Sequence, residues 1–128
     1  MSAQRDRVLV VDDAANLREL LTLLLEVEDD FEVVGTAADG RQAIDAALAL
    51  KPDVVLLDLA MPVMDGLQAI PHILARSPRS RIVVVSASDA SVMEARALAA
   101  GANAFVAKGS GSDAILAAVR DVAQRAPR

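Results

Sequence analysis

The chain has 128 residues, 54% of them hydrophobic, enough for one sizeable core and too few for two ordinary domains. Its formal charge of −5 disfavours the basic stripe that a nucleic-acid backbone demands, so this domain is expected to make no direct nucleic acid contact. It has no cysteine, so disulfides and thiolate metal sites are excluded, and no apolar run reaches the roughly 18 residues that cross a bilayer; a cytoplasmic protein without a signal peptide or membrane anchor is expected.

Five β-branched runs alternate with five longer segments of helical period. That pattern predicts a parallel sheet with helices on both faces, a doubly wound α/β fold of the flavodoxin-like type. The first run is VLVVDD at 8–13. Leu17, Leu20, Leu21, Leu24 and Leu25 follow at helical spacing. The run FEVVG at 31–35 leads to a helix announced by Asp39-Gly40, and DVVLLD at 53–58 leads to a third helix. Pro71 falls inside that helix and deletes a backbone bond toward Leu67, which predicts a kink or a late start. RIVVVSA at 81–87 precedes a fourth helix that stops at Gly101. AFVAK at 104–108 is followed by a fifth helix with Ser112 or Asp113 as its cap and Ile115, Ala118, Val119, Val122 and Ala123 as its apolar stripe. The whole chain, 1–128, reads as a single domain with its core at about 8–122; the segment 123–128 is a tail or the start of a linker.

In an open α/β sheet, polar groups at the carboxyl ends of the strands converge in one crevice. Asp12-Asp13 end the first run, Asp58 the third, Ser86 the fourth and Lys108 the fifth. Three carboxylates brought together repel one another, which a raised pKa or a bound hard cation relieves. An all-oxygen ligand set without His or Cys favours Mg²⁺. With the Lys108 ammonium and the Ser86 hydroxyl beside it, such a site suits a planar anionic phosphoryl group, and Asp58 would accept it as an acyl phosphate.

The segments VLVVDD, VVLLDLAMPVMDG, VVVSA and AFVAK resemble, in order and spacing, the receiver domains of bacterial response regulators, over residues 8 to 122. The resemblance implies that Asp58 is the phosphoacceptor, that Asp13 binds Mg²⁺ directly and Asp12 largely through water, and that the Ala60 carbonyl completes the metal shell. It implies that Ser86 and Lys108 hold phosphoryl oxygens, and that Phe105 changes rotamer on activation, coupled to Ser86. Partners implied are a sensor histidine kinase or phosphotransfer protein, an output domain or protein, and a second copy on activation. The stretch from Gly35 to Gly66 looks most like regulators of transcription with a helix-turn-helix output domain. Such a domain is no conventional enzyme but catalyses its own phosphorylation and dephosphorylation. Two departures stand out: Gly109 replaces the proline that many relatives carry after the lysine, and the positions two residues after Asp58 and Ser86 hold small Ala60 and Ser88.

Two other functions fit less well. A carboxylate-nucleophile phosphatase of the haloacid-dehalogenase kind needs a second aspartate two residues after the first, and Ala60 stands there. A degenerate receiver, a binding module without phosphorylation, usually lacks an acidic-pair member, the acceptor or the lysine, and all are present. Taken singly, each residue has a plainer reading. An acidic pair caps a strand end, Lys108 is solvated, Ser86 is a satisfied hydroxyl and Phe105 belongs to the core. His72 reads as a surface residue of the third helix with no role, and Glu28-Asp29-Asp30 as a solvated loop.

Overall fold

The computed structural model describes residues 4–87 and 90–125; Ser88 and the start of the Asp89–Gly101 segment lie outside the described residues, as do 126–128. Five strands and five helices alternate: β1 Asp6–Val11, α1 Ala15–Glu26, β2 Phe31–Ala37, α2 Gly40–Leu50, β3 Val54–Asp58, α3 Gly66–Arg76, β4 Arg81–Ser86, α4 Ala90–Ala100, β5 Ala104–Ala107 and α5 Ser112–Arg125. A 3₁₀ turn, Lys108–Ser110, joins β5 to α5. The strands are all parallel in the order β2-β1-β3-β4-β5, so the expected doubly wound sheet is what forms.

Side chains alternate across each strand, and both faces of the central strands β1, β3 and β4 are buried. Leu9, Val11, Val55, Leu57, Ile82 and Val84 meet Ile44, Ala69, Ile70 and Ile73 of α2 and α3. Val8, Val10, Val54, Leu56, Val83 and Val85 meet Leu21 and Leu25 of α1 and Val119 and Val122 of α5. Each fully buried Val, Leu or Ile contributes about 1.5–3 kcal/mol of transfer free energy. That explains near-continuous β-branched runs in place of polar alternation. Among the described residues no helix is long and apolar enough to cross a membrane.

Helix ends differ from the expectations in three places. α3 does not start late: Asp65 accepts from the Gln68 N–H at 2.8 Å and Gln68 accepts in return from Asp65, a capping box that sets the start at Gly66. Pro71 therefore sits inside α3, on its exposed side, where its ring displaces no core packing. Neither Ser112 nor Asp113 caps α5. Both lie within its first turn, where the Asp113 carboxylate favours the positive end of the helix dipole, and the preceding position is Gly111 at φ +93°, whose carbonyl accepts from Ile115. At its other end α5 continues past Val122 to Arg125, and Ala123 is part of the core.

The acidic run after α1 is not simply solvated. Arg120 of α5 donates to Asp30 from Nε at 2.7 Å and to Glu28 from Nη2 at 3.0 Å, and its guanidinium lies 5.2 Å from the centre of the Phe31 ring. Hydrogen bonding from Arg120 holds the Asp30 carboxyl below its ordinary pKa. A lowered carboxyl pKa stabilises the fold above the unfolded value near 3.8, and the contribution fades as pH falls through the folded one. Arg120→Ala is expected to cost about 1 kcal/mol at neutral pH and low salt, because the pairs are partly exposed. Urea melts should show the cost shrinking in high salt and below pH 4.

Candidate functional site

Sheet register brings the polar residues together. In β1 and β3, Val11 lies opposite Leu57, so the next residues, Asp12 and Asp58, are neighbours at the switch point between β2-β1 and β3-β4-β5. In β3 and β4, Asp58 pairs with Val85, and Ser86 in turn pairs with Ala107, the residue before Lys108. Asp12 and Lys108 stand one residue past their strands, Lys108 as the first residue of the 3₁₀ turn.

Asp12 and Asp58 are almost entirely buried, at 1% and 4% exposure, whereas Asp13 faces solvent. Carboxylate oxygens of the three lie within 4.8 Å of one another. Lys108 Nζ stands 3.2 Å from Asp12 Oδ2 and 3.5 Å from Asp58 Oδ1. Burial, and then the charge of Asp12, push the Asp58 carboxyl above its ordinary pKa, and Lys108 and the Ala60 N–H oppose without prevailing. Burial works against the Lys108 ammonium, but Asp58 and Asp12 together hold its pKa above the usual value. The chemistry of this donor set fits a hard divalent cation: oxygen ligands only, excess negative charge and one solvent-facing member.

The backbone around the pair is tightly held. Asp12 donates its N–H to the Ala37 carbonyl at 3.1 Å, and its Oδ1 accepts from the Ala14 N–H at 3.0 Å. Arg18 Nη1 donates to the Asp12 carbonyl at 2.8 Å and reaches the Asp13 carbonyl at 3.4 Å. Ser86 is buried at the end of β4. Phe105 is half-buried against the core on the α2–α3 side, where its fully buried register partner Val84 also lies; Ser86, two residues past Val84, is therefore on the same sheet face as Phe105.

The loop after Asp58 contains features that motif reading missed. Gly66 donates to the Leu59 carbonyl at 2.9 Å, and a Cβ on Gly66 would stand 2.2 Å from the Asp58 carbonyl oxygen. Gly40 donates to the Met64 carbonyl at 2.9 Å and ties α2 to the same loop. Between these anchors Met64 donates to the Pro62 carbonyl at 2.7 Å across Val63 at φ +68°, a γ-turn of the strained hand on an exposed β-branched residue. Only the Asp65-x-x-Gln68 capping signature could have been read in advance.

Residues 8–120 match the response regulator receiver domain. The chain belongs to that family. It is 46% identical over 133 residues to a protein-glutamate methylesterase/protein-glutamine glutaminase of Symbiobacterium thermophilum, covering 95% of this chain and 36% of the relative. It is 41% identical over 102 residues to the chemotaxis protein CheY of Thermotoga maritima, covering 80% of this chain and 84% of that one. Among solved structures it resembles the signal receiver domain of the response regulator NarL from Mycobacterium tuberculosis, with TM-score 0.90 and 36% identity over 96% of this chain and 99% of that one. The chain spans 29–36% of the length of the methylesterase relatives it matches first. As a receiver domain of two-component signalling it functions as a phosphorylation-activated switch, and the family works with histidine kinases or phosphotransfer partners and with output domains.

Proposed function

We propose that Asp58 is the phosphoacceptor and that Asp12, Asp13, Asp58 and the Ala60 carbonyl hold Mg²⁺. The observation that carries the reading is the cluster of three carboxylates within 4.8 Å, two of them bridged by the Lys108 ammonium. A bound Mg²⁺ would supply charge neutralisation for the carboxylates and for the phosphoryl oxygens in transfer. An Asp58 carboxylate oxygen forms a bond to phosphorus while the bond from phosphorus to the donor breaks, its electron pair leaving with the donor. Lys108 then moves its attention from two carboxylates to a phosphoryl oxygen, and Ser86 donates its hydroxyl to another. The donor is a histidine kinase or phosphotransfer protein, in the cytoplasm, and 1–128 acts as one receiver unit upstream of an output domain, a partner protein or a second copy. Transcription regulation is one such output.

Metal binding is tested by thermal unfolding. At a Mg²⁺ concentration 100 times Kd, stability should rise by about 2.7 kcal/mol, and Asp13→Ala should lose most of that gain. An equal gain in the variant would remove Asp13 from the metal shell.

Readout runs through Ser86 and Phe105. When Ser86 moves to a phosphoryl oxygen it vacates space on the face it shares with Phe105, and the ring turns inward to fill it, because packed interiors have discrete arrangements. Shifting the population from 1:99 to 99:1 takes about 5.5 kcal/mol, and one hydroxyl contact to a charged group supplies roughly 1.5–3 kcal/mol. Ser86→Ala is therefore expected to keep phosphoryl uptake and to lose much of the switching. Aromatic NMR shifts of Phe105 on adding beryllium trifluoride should shrink in the variant; full parental shifts would break the coupling.

A further inference from the structure

Asp12 is pinned at three points, by its N–H to Ala37, its Oδ1 from Ala14 and its carbonyl from Arg18. Asp13 is not. It is exposed, and among the described residues the hydrogen bond that reaches it is the one from Arg18 Nη1 to its carbonyl, at 3.4 Å. Arg18 is itself well anchored: its N–H closes the first turn of α1 onto Ala14 at 2.9 Å, and its carbonyl accepts from the Thr22 hydroxyl at 2.8 Å. A helical side chain covers the turn on the N-terminal side of its own Cα, which is why a residue five positions past Asp13 folds back over it.

We propose that Arg18 is a positioning residue for the metal ligands: its planar guanidinium ties the Asp12 and Asp13 carbonyls to the first turn of α1 and so fixes where the Asp13 carboxylate meets the cation. The proposal rests on the Mg²⁺ reading of the cluster. It makes a prediction of definite sign. Arg18 also brings a positive charge to a site for a dication, so charge alone would make its removal tighten Mg²⁺ binding. Positioning makes its removal weaken binding, because a group that orients a metal ligand is worth about 10- to 100-fold in metal affinity. Lysine keeps the charge, but its ammonium stands one bond nearer the Cα than the Arg18 Nη1 that makes both contacts, and it lacks the planar group that aims that nitrogen.

The test is Mg²⁺ titration of the amide NMR signals of Asp12, Asp13 and Asp58, with calorimetry, on the parent, Arg18→Ala, Arg18→Lys and Arg79→Ala, the last removing a charge at the opposite end of the sheet. Melting without metal is recorded for each. Arg18→Ala should bind Mg²⁺ at least about tenfold more weakly, Arg18→Lys should also bind more weakly, and Arg79→Ala should match the parent. If Arg18→Ala fails to fold, Arg18→Lys carries the test. Parental or tighter affinity in the Arg18 variants overturns the positioning role. A parent with no saturable Mg²⁺ response at the three aspartates overturns the metal reading along with it.

Discussion

Asp58→Asn is expected to take up no phosphoryl group from any donor and, without Mg²⁺, to melt at a higher temperature than the parent at neutral pH. The first effect follows from chemistry, since an amide oxygen is a poor nucleophile toward phosphorus and no other carboxylate takes the same place at the end of β3. The second follows from electrostatics. Asp58 is 4% exposed, and burial and then Asp12 raise its pKa, so the folded chain holds the Asp58 proton more tightly than the unfolded chain does. For an acid shifted upward, stability is greatest below the unfolded value of 3.8 and declines as pH rises through the folded value. At neutral pH, well above the unfolded value, the carboxyl therefore detracts from the fold, and asparagine does not. The advantage should vanish below about pH 4, where both forms are neutral. Mg²⁺ should reverse it, because the parent gains binding energy that the variant has partly lost. Calorimetry with chelator or Mg²⁺, across pH, separates these cases; a variant less stable than the parent in chelator at pH 7 would contradict the electrostatic argument.

Gly66→Ala is expected to be the most damaging small substitution in the loop. Its added Cβ would meet the Asp58 carbonyl oxygen at 2.2 Å and the Leu59 Cα at 2.9 Å. Neither can yield easily, because both are backbone, and β3 is paired on both sides by β1 and β4. Gly66 shows no positive φ, so the need for glycine here is one of space alone. The cost should be about 3 kcal/mol, a large share of the 5–15 kcal/mol typical of a domain, and the melting point should fall by roughly 10 °C. Any relaxation moves the acceptor, so Mg²⁺ affinity should fall too. Urea unfolding within about 1 kcal/mol of the parent would mean that α3 shifts freely, contrary to the packing described.

The strands and the site were legible because they rest on residue chemistry repeated at fixed places. VVLL-type runs can only be buried on both faces, and polar residues that end such runs can only meet in the crevice. Helix ends were less legible. The capping box at Asp65 prevails over Pro71 because it satisfies two backbone donors, while the proline on the exposed side of α3 costs no packing. The partner of Glu28 and Asp30 lies about ninety residues away in sequence, and no local pattern points to Arg120. The close approach of Gly66 to Asp58 and the reach of Arg18 over Asp12 and Asp13 depend likewise on how α3 and α1 seat on the sheet. Such contacts become visible only once the elements are packed.

Whether Asp58 carries the phosphoryl group in a Mg²⁺-dependent reaction is decided by locating the modified residue. The chain is treated with acetyl phosphate in Mg²⁺ or in chelator, reduced with borohydride, which converts an aspartyl phosphate to the alcohol, and mapped by peptide mass spectrometry. The reduced residue should be found at position 58 and only in the Mg²⁺ sample. Reduction at Asp12 or Asp13, or equal labelling at Asp58 in chelator, would contradict the account.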